Sequence, residues 1–291
     1  MIQDITYGYD QIKQPFFIWK ERFRDPRTMI NNHYHDAYEI YYLLEGERYY
    51  FIKDRTYHVQ KGDLILIDIN ELHKTMDAPF PVHERILLNF KKKFLPLNLS
   101  EAAGESLFTC FHQNINLLRL HREEQDFIKA ILLKMVAEEK TSRPDSLLYL
   151  QILLTELLIF LSRQSAQKPA ANFPFPNPTH QKISEIVGYL NDHYYQNLSL
   201  NMLSEHFFIS KYYLSRTFKE VTGFTLVEYL NSVKTKEAQK LLNTTTLSIT
   251  EISAKVGFES ITHFGRVFKS ITGSSPLQYR KNSRTAGERS Q

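Results

Sequence analysis

Up to Phe94 the apolar residues fall into short, evenly spaced runs: Glu39-Ile-Tyr-Tyr-Leu-Leu44, Arg48-Tyr-Tyr-Phe-Ile52, Asp63-Leu-Ile-Leu-Ile67 and Arg85-Ile-Leu-Leu-Asn-Phe90. Turn-prone pieces bound them, namely Glu45-Gly-Glu47, Lys53-Asp-Arg55, Lys61-Gly-Asp63 and Ala78-Pro-Phe-Pro81. Many short strands at this spacing predict a β-sandwich or barrel. From about Glu105 to Gln164 the period lengthens to that of helices. One runs through Asp126-Phe-Ile-Lys-Ala-Ile-Leu-Leu-Lys-Met-Val136. Another, Ser146 to Ser162, is apolar around most of its circumference and so must be covered on more than one side, either by packing with its neighbour on the barrel or, the favoured reading, by a dimer interface. Ser165 to Thr179, with Phe173-Pro-Phe-Pro-Asn-Pro178, reads as an extended linker.

Beyond the linker the pattern repeats. Ser210, Arg216, Phe218, Lys219, Thr222, Gly223 and Tyr229 recur 50 residues later as Ser260, Arg266, Phe268, Lys269, Thr272, Gly273 and Tyr279. Such a duplication fixes architecture ahead of any single residue. Each copy predicts a helix, a tight turn and a second helix. Ser199, Ser210, Ser248 and Ser260 serve as N-caps, and Gly223 as a stop. A long helix from Thr225 to Leu242 joins the copies. In the second helix of each unit the inward set is Tyr213, Leu214, Phe218 and Val221, then His263, Phe264, Val267, Phe268 and Ile271. The outward set is Lys211, Tyr212, Ser215, Arg216 and Lys219, then Ile261, Thr262, Gly265, Arg266 and Lys269. A helix fits the major groove, where Arg can bind guanine bidentately while other cations meet phosphate.

Charge supports that reading. The net charge of +4 divides into +5 from Thr179 onward (14 Lys+Arg against 9 Asp+Glu) and −1 before it. The lone Cys110 excludes a disulfide framework or a Cys-based zinc site. Met1-Ile-Gln-Asp-Ile-Thr6 lacks the basic-then-apolar pattern of a signal peptide. The greasiest stretch, Leu147 to Leu161, is short for a membrane span, so a cytoplasmic location without membrane contact is expected.

Within the strand-rich part, His33-Tyr-His35, Glu39 and Gly46, followed by Gly62 and His73, resemble the two motifs of the cupin jelly roll. Arg27, Asp68, Asn70 and Asp77 depart from that pattern. The resemblance implies that His33, His35, Glu39 and His73 converge inside the barrel, where imidazoles and a carboxylate suit a first-row metal. They equally suit an effector pocket with Tyr41, or a hydrogen-bonded strut. No cofactor is required; a divalent metal is allowed by the donor set but not favoured.

Residues 180–281 resemble the DNA-binding domain of the AraC/XylS family of transcriptional regulators. The resemblance is carried by Leu200-x2-Leu203-Ser204, Ser210-x3-Leu214-Ser-Arg216-x-Phe218-Lys219, Gly223, Tyr229-Leu230 and Ala238-x2-Leu241-Leu242. It continues through Val256-Gly257-Phe258, Phe264-x-Arg266-x-Phe268-Lys269 and Gly273-x2-Pro276-x2-Tyr279-Arg280. Departures are Lys234-Thr235 for Arg-Leu, Ser204 and Ser253 for Ala, and Gly265 at an outward position. The resemblance implies base contacts from Tyr212, Ser215 and Arg216 in the first unit, and from Ile261, Thr262 and Arg266 in the second.

The expected organisation is a two-domain α+β protein. A cupin-like sensing and dimerising barrel with packed helices spans 1–165, a Pro-rich linker 166–179, a double helix-turn-helix domain 180–282 and a flexible tail 283–291. The expected function is a non-enzymatic transcriptional regulator, an activator by family leaning. It would be a homodimer that binds double-stranded promoter DNA and RNA polymerase under control of a small effector such as a sugar. The alternatives are a metal-dependent cupin enzyme with a DNA-binding tail, resting on the His/Glu set, and a purely architectural DNA protein, which leaves the barrel without a task.

Overall fold

The computed structural model describes residues 14–26, 35–96, 101–113, 115–141, 143–167 and 173–288. Its strands are β1 (Phe16–Phe23), β2 (Tyr38–Glu45), β3 (Glu47–Ile52), β4 (Arg55–Gln60), β5 (Leu64–Ile67), β6 (His73–Asp77), β7 (His83–Phe90) and β8 (Leu117–Leu118). They form two antiparallel sheets, ordered β1-β7-β2-β5-β8 and β4-β3-β6. This is the strand-rich domain the runs predict.

Almost every residue of β2 is buried, because the five-stranded sheet is covered on both faces. Tyr38, Ile40, Tyr42 and Leu44 point to a core shared with the helices α1 (Glu101–His112), α2 (Arg122–Glu139) and α3 (Ser146–Gln167). The alternate positions Tyr41 and Leu43 face the other sheet, together with Tyr50, Ile52, Val59, Ile65, Ile67 and Leu87. Helix α3 extends to Gln167, past the predicted end. At 22 residues it is long and apolar enough to cross a membrane, contrary to the estimate from Leu147–Leu161. Six of its leucines are nonetheless buried in the domain core.

The C-terminal domain comprises α4 (Pro178–His193), α5 (Leu200–His206), α6 (Lys211–Thr222), α7 (Leu226–Thr244), α8 (Ile249–Lys255), α9 (Ile261–Thr272) and α10 (Pro276–Glu288). Two boundaries shift from expectation. Helix α4 begins inside the linker, because Pro178 sits in the first turn, where no N–H is needed, and Asn177 caps it by accepting from the His180 amide. The predicted tail from 283 is helical as far as Glu288, as part of α10.

Each helix-turn-helix unit owns a core, and α7 contributes to both. Leu226, Tyr229 and Leu230 join the first, Ala238 and Leu242 the second. The first core also contains Phe51, Leu72 and Met76 of the N-terminal domain. The outer face of the three-stranded sheet is therefore packed directly on the first unit. Among the described residues, side-chain bonds that cross there include Ser184 Oγ to Asp54 O (2.7 Å), Tyr229 Oη to Lys53 O (3.0 Å), Thr56 Oγ1 to Val221 O (3.1 Å) and Lys74 Nζ to Gly223 O (2.5 Å).

Candidate nucleic-acid interface and sensor interior

The two reading helices start alike. Ser210 Oγ accepts from the Tyr213 amide and Ser260 Oγ from the His263 amide, and each helix ends on a left-handed glycine, Gly223 or Gly273. Lys211, Tyr212, Ser215, Arg216 and Lys219 are exposed on α6, and Ile261, Thr262, Arg266 and Lys269 on α9, as the sequence predicts. Tyr213 and His263 correct the expectation, because both are exposed rather than inward. The buried stripe is centred on Leu214/Phe218 and Phe264/Phe268. The preceding residue lies about 100° around the helix, past the stripe's edge.

The units differ chemically. Arg216 Nε donates to Glu220 Oε1 at 2.8 Å, whereas the second copy has Ser270 at the matching position. A Cβ placed on Gly265 would meet nothing within 4 Å, so packing does not require glycine there and the second helix simply presents less side chain. Lys234, a departure from the family pattern, donates to Gly257 O at 2.7 Å and so ties α7 to the turn of the second unit. The units differ in surroundings too. Tyr212, Ser215, Arg216 and Lys219 form one wall of a cleft of about 610 Å³ whose other wall is Lys74, Met76 and Asp77 of β6.

Inside the barrel, three of the predicted residues converge. His35, Glu39 and His73 are buried, with one ligand-capable atom from each lying within 4.8 Å of the others. His33 lies outside the described residues. His35 Nδ1 lies 2.8 Å from Ala37 O, and His73 Nδ1 lies 2.7 Å from Glu71 O. A carbonyl only accepts, so each Nδ1 carries the proton, and Nε2 of a neutral ring turns a lone pair towards Glu39. His35 Nε2 and Glu39 Oε2 stand 3.1 Å apart, and His73 Nε2 is 3.8 Å from the same oxygen. Two facing acceptors need a shared proton or a cation between them. Burial holds the His73 imidazole down to about 4 against the opposing pull of Glu39, so this ring is neutral at pH 7. Tyr50 Oη donates to Glu39 Oε1 at 2.5 Å. The donor set of two imidazoles and a carboxylate fits a first-row divalent ion, which His35, Glu39 and His73 would hold.

Other interior polar groups escaped the sequence reading. Arg48, 1% exposed, is paired with Asp77, its neighbour in register on β6. Arg85 lies opposite Leu43 on the same inner face as Tyr41. The signal available was period two. Once Glu39 and Tyr41 are placed inward, the hairpin puts Arg48 and Tyr50 on the facing sheet.

Two family descriptions match this chain, an AraC-like ligand binding domain over residues 20–154 and a helix-turn-helix domain over residues 203–282. The chain belongs to the AraC family. It is similar to the uncharacterized HTH-type transcriptional regulator YbfI of Bacillus subtilis (strain 168), at 28% identity across 83% of this chain and 84% of that protein. It is also similar to the HTH-type transcriptional activator RhaR of Enterobacter sp. (strain 638), at 24% identity across 90% of this chain and 91% of that protein. Among solved structures, the C-terminal domain of AraT, a response regulator from Geobacillus stearothermophilus, is 34% identical over 33% of this chain and 79% of that one, with a TM-score of 0.32. This AraC-family chain is thus a DNA-binding transcriptional regulator with an N-terminal ligand-binding domain, and its relatives being regulators removes the enzyme reading.

Proposed function

We propose that the protein activates transcription from specific promoters in the cytoplasm as a homodimer, in response to a small molecule held between its two sheets, and contacts RNA polymerase when bound. One observation supports ligand control above the others: the three-stranded sheet belongs to both domains. Along β3, Arg48, Tyr50 and Ile52 face the barrel interior, while the alternate Phe51 lies in the core of the first helix-turn-helix unit. Along β6, His73 points inward with the Glu39 cluster, while Lys74 and Met76 point to α6. A ligand that moves these strands must repack the first DNA-reading unit, because side chains one residue apart share a backbone.

In this arrangement α6 is hemmed by β6, and the cleft between them is the size of a small-molecule pocket. For α6 to insert Tyr212, Ser215 and Arg216 into a groove roughly 12 Å wide, that wall must withdraw. Among the described residues, no hydrogen bond or ion pair ties α9 to the N-terminal domain. The effector therefore acts on the first unit, by differential affinity for the closed and open arrangements. The activator sign is supported by the similarity to proteins named as activators, including RhaR and RhaS. The His35–Glu39–His73 cluster acts as a proton-sharing strut from β2 to β6, and no metal is needed for the reading.

Binding of a promoter fragment and of random duplex, measured by fluorescence anisotropy over a salt series, tests the proposal. The promoter is expected to bind about 10³-fold tighter or more, and both affinities should fall steeply with salt. Equal affinity for the two duplexes, or promoter binding untouched by any small molecule, would sink it.

A further inference from the structure

Resting on the reading that the barrel holds an effector, we infer that this effector carries an oxyanion, a carboxylate or a phosphate, bound by Arg85 and Tyr41. The inner row of β7 and its neighbours show unmet hydrogen-bonding demand at one place. Tyr41 is 0% exposed, and among the described residues its hydroxyl proton has no acceptor, since the Arg85 guanidinium that approaches its Oη can only donate. Burial raises its hydroxyl above the ordinary range, so it remains a donor at neutral pH. The Arg85 guanidinium stands 5.6 Å from the centre of the Tyr41 ring and 4.9 Å from that of Phe23, and its Nε is buried without a partner. A buried donor left unmade costs free energy, and interiors rarely leave two side by side.

The neighbouring acids are engaged elsewhere. Asp77 takes Arg48, and Glu39 takes Tyr50 and His35. Glu21 lies opposite Arg85 in register, but its carboxylate accepts from Trp19 Nε1 at 3.3 Å, and no Arg85–Glu21 ion pair forms among the described residues. His83 is nearby, and burial, with Arg48 and Arg85 adding to it, lowers its imidazole to about 4. It therefore brings no further cation at pH 7, although it records how positive the neighbourhood is. Among the described residues Arg85 is thus a guanidinium without a carboxylate, next to a hydroxyl that must donate. That is the donor set an oxyanion takes, in the fork geometry arginine offers. Further along β7, on the same face, Asn89 Oδ1 is a buried acceptor without a donor. It suits a hydroxyl elsewhere on the same molecule, so a hydroxylated acid or sugar phosphate answers both demands.

The test uses the full-length protein in thermal unfolding, at fixed ionic strength, with gluconate, glucose 6-phosphate, orthophosphate, glucose or chloride. Gluconate, glucose 6-phosphate or both should raise the midpoint by several degrees over glucose and chloride, with orthophosphate weaker. Which of the two sugars is stronger separates carboxylate from phosphate recognition. Arg85→Ala should abolish the gain. Tyr41→Phe keeps the ring and removes a hydroxyl whose proton has no acceptor, so it should leave the ligand-free midpoint unchanged or higher while reducing the gain. Equal gains from glucose and the anions, gains undiminished in Tyr41→Phe, or no gain from any anion would overturn the inference. Anisotropy on the same samples separates this from the broader proposal. A neutral sugar that alters promoter binding removes the anion and leaves ligand control standing.

Discussion

At the scale of single residues the duplication is most informative where it fails. The turn of the second unit passes through Gly257 at φ +83°, where an added Cβ would lie 2.3 Å from Tyr195 O. The matching residue of the first unit is Phe208, at φ +55° and 95% exposed. A bulky side chain in the left-handed region costs about 1–2 kcal/mol, and this one recovers nothing by burial. Phe208→Gly is therefore expected to stabilise the protein by about 0.5–1 kcal/mol after glycine's own entropy cost, read as a higher urea midpoint. Gly257→Ala should destabilise it by about 1–3 kcal/mol. A lower midpoint for Phe208→Gly would mean that the ring does something the fold does not reveal. His83 sets a second expectation. Its pKa is lowered from 6.5 to about 4, so the unfolded chain binds the proton more readily, and stability present above pH 6.5 is lost as pH falls towards 4. His83→Gln should flatten the pH dependence of the unfolding midpoint across that window.

At the scale of elements, legibility followed how many faces a strand or helix had to satisfy. Strands β2, β5 and β7 read easily because the face each turns to α1, α2 and α3 is wholly apolar, as with Ile86, Leu88 and Phe90 of β7. Strands β4 (Arg-Thr-Tyr-His-Val-Gln) and β6 (His-Lys-Thr-Met-Asp) did not, since their inner faces line a polar interior and their outer faces meet the other domain. Neither face was then apolar enough to show the period. The serine caps were legible because a cap is a local bond. The candidate site was half legible: His35, Glu39 and His73 follow from motif spacing and Tyr41 from its nearness to them in the chain, whereas Arg85 acquires meaning only through its register opposite Leu43. Helix α3 reads as too greasy for one interface, and its residues Leu147, Leu148, Ile152 and Ile159 are indeed exposed. Such a stripe beyond the core face is what a partner helix covers. Leu148→Glu with Ile152→Glu should convert the proposed dimer to a monomer in sedimentation while leaving the circular dichroism unchanged. An unaltered mass would count against a dimer built on α3. The reading helices carry their own asymmetry. Arg216→Ala should relax base discrimination by about 1–3 kcal/mol at one position of the site, and Arg266→Ala by less, since α9 presents Gly265 where α6 presents Ser215. Equal losses would count against unequal readers.

At the scale of the whole molecule, the two domains share a core instead of meeting across a wet seam, and the proposed control of the first unit runs through that core. The contact nearest the reading helix is Lys74. Its stem runs against Gly223, its ammonium donates to Gly223 O, and burial lowers its pKa. Gly223 closes α6 and accepts this bond at the end of the helix where the carbonyls point outward. Removing the ammonium leaves that carbonyl to water and loosens β6 from α6 without touching a side chain that faces DNA. Lys74→Ala should therefore raise promoter affinity in the absence of effector by about 5- to 10-fold, the equivalent of roughly 1–1.4 kcal/mol taken from the closed arrangement. It should also shrink the further gain on adding effector, since a ligand can shift only the population still closed. Thr56→Ala, which removes a neutral bond to Val221 O at the same seam, should act in the same direction and less strongly. If both variants bind promoter with wild-type affinity and wild-type response, the seam is a passive scaffold, and control must run through the geometry of the dimer instead.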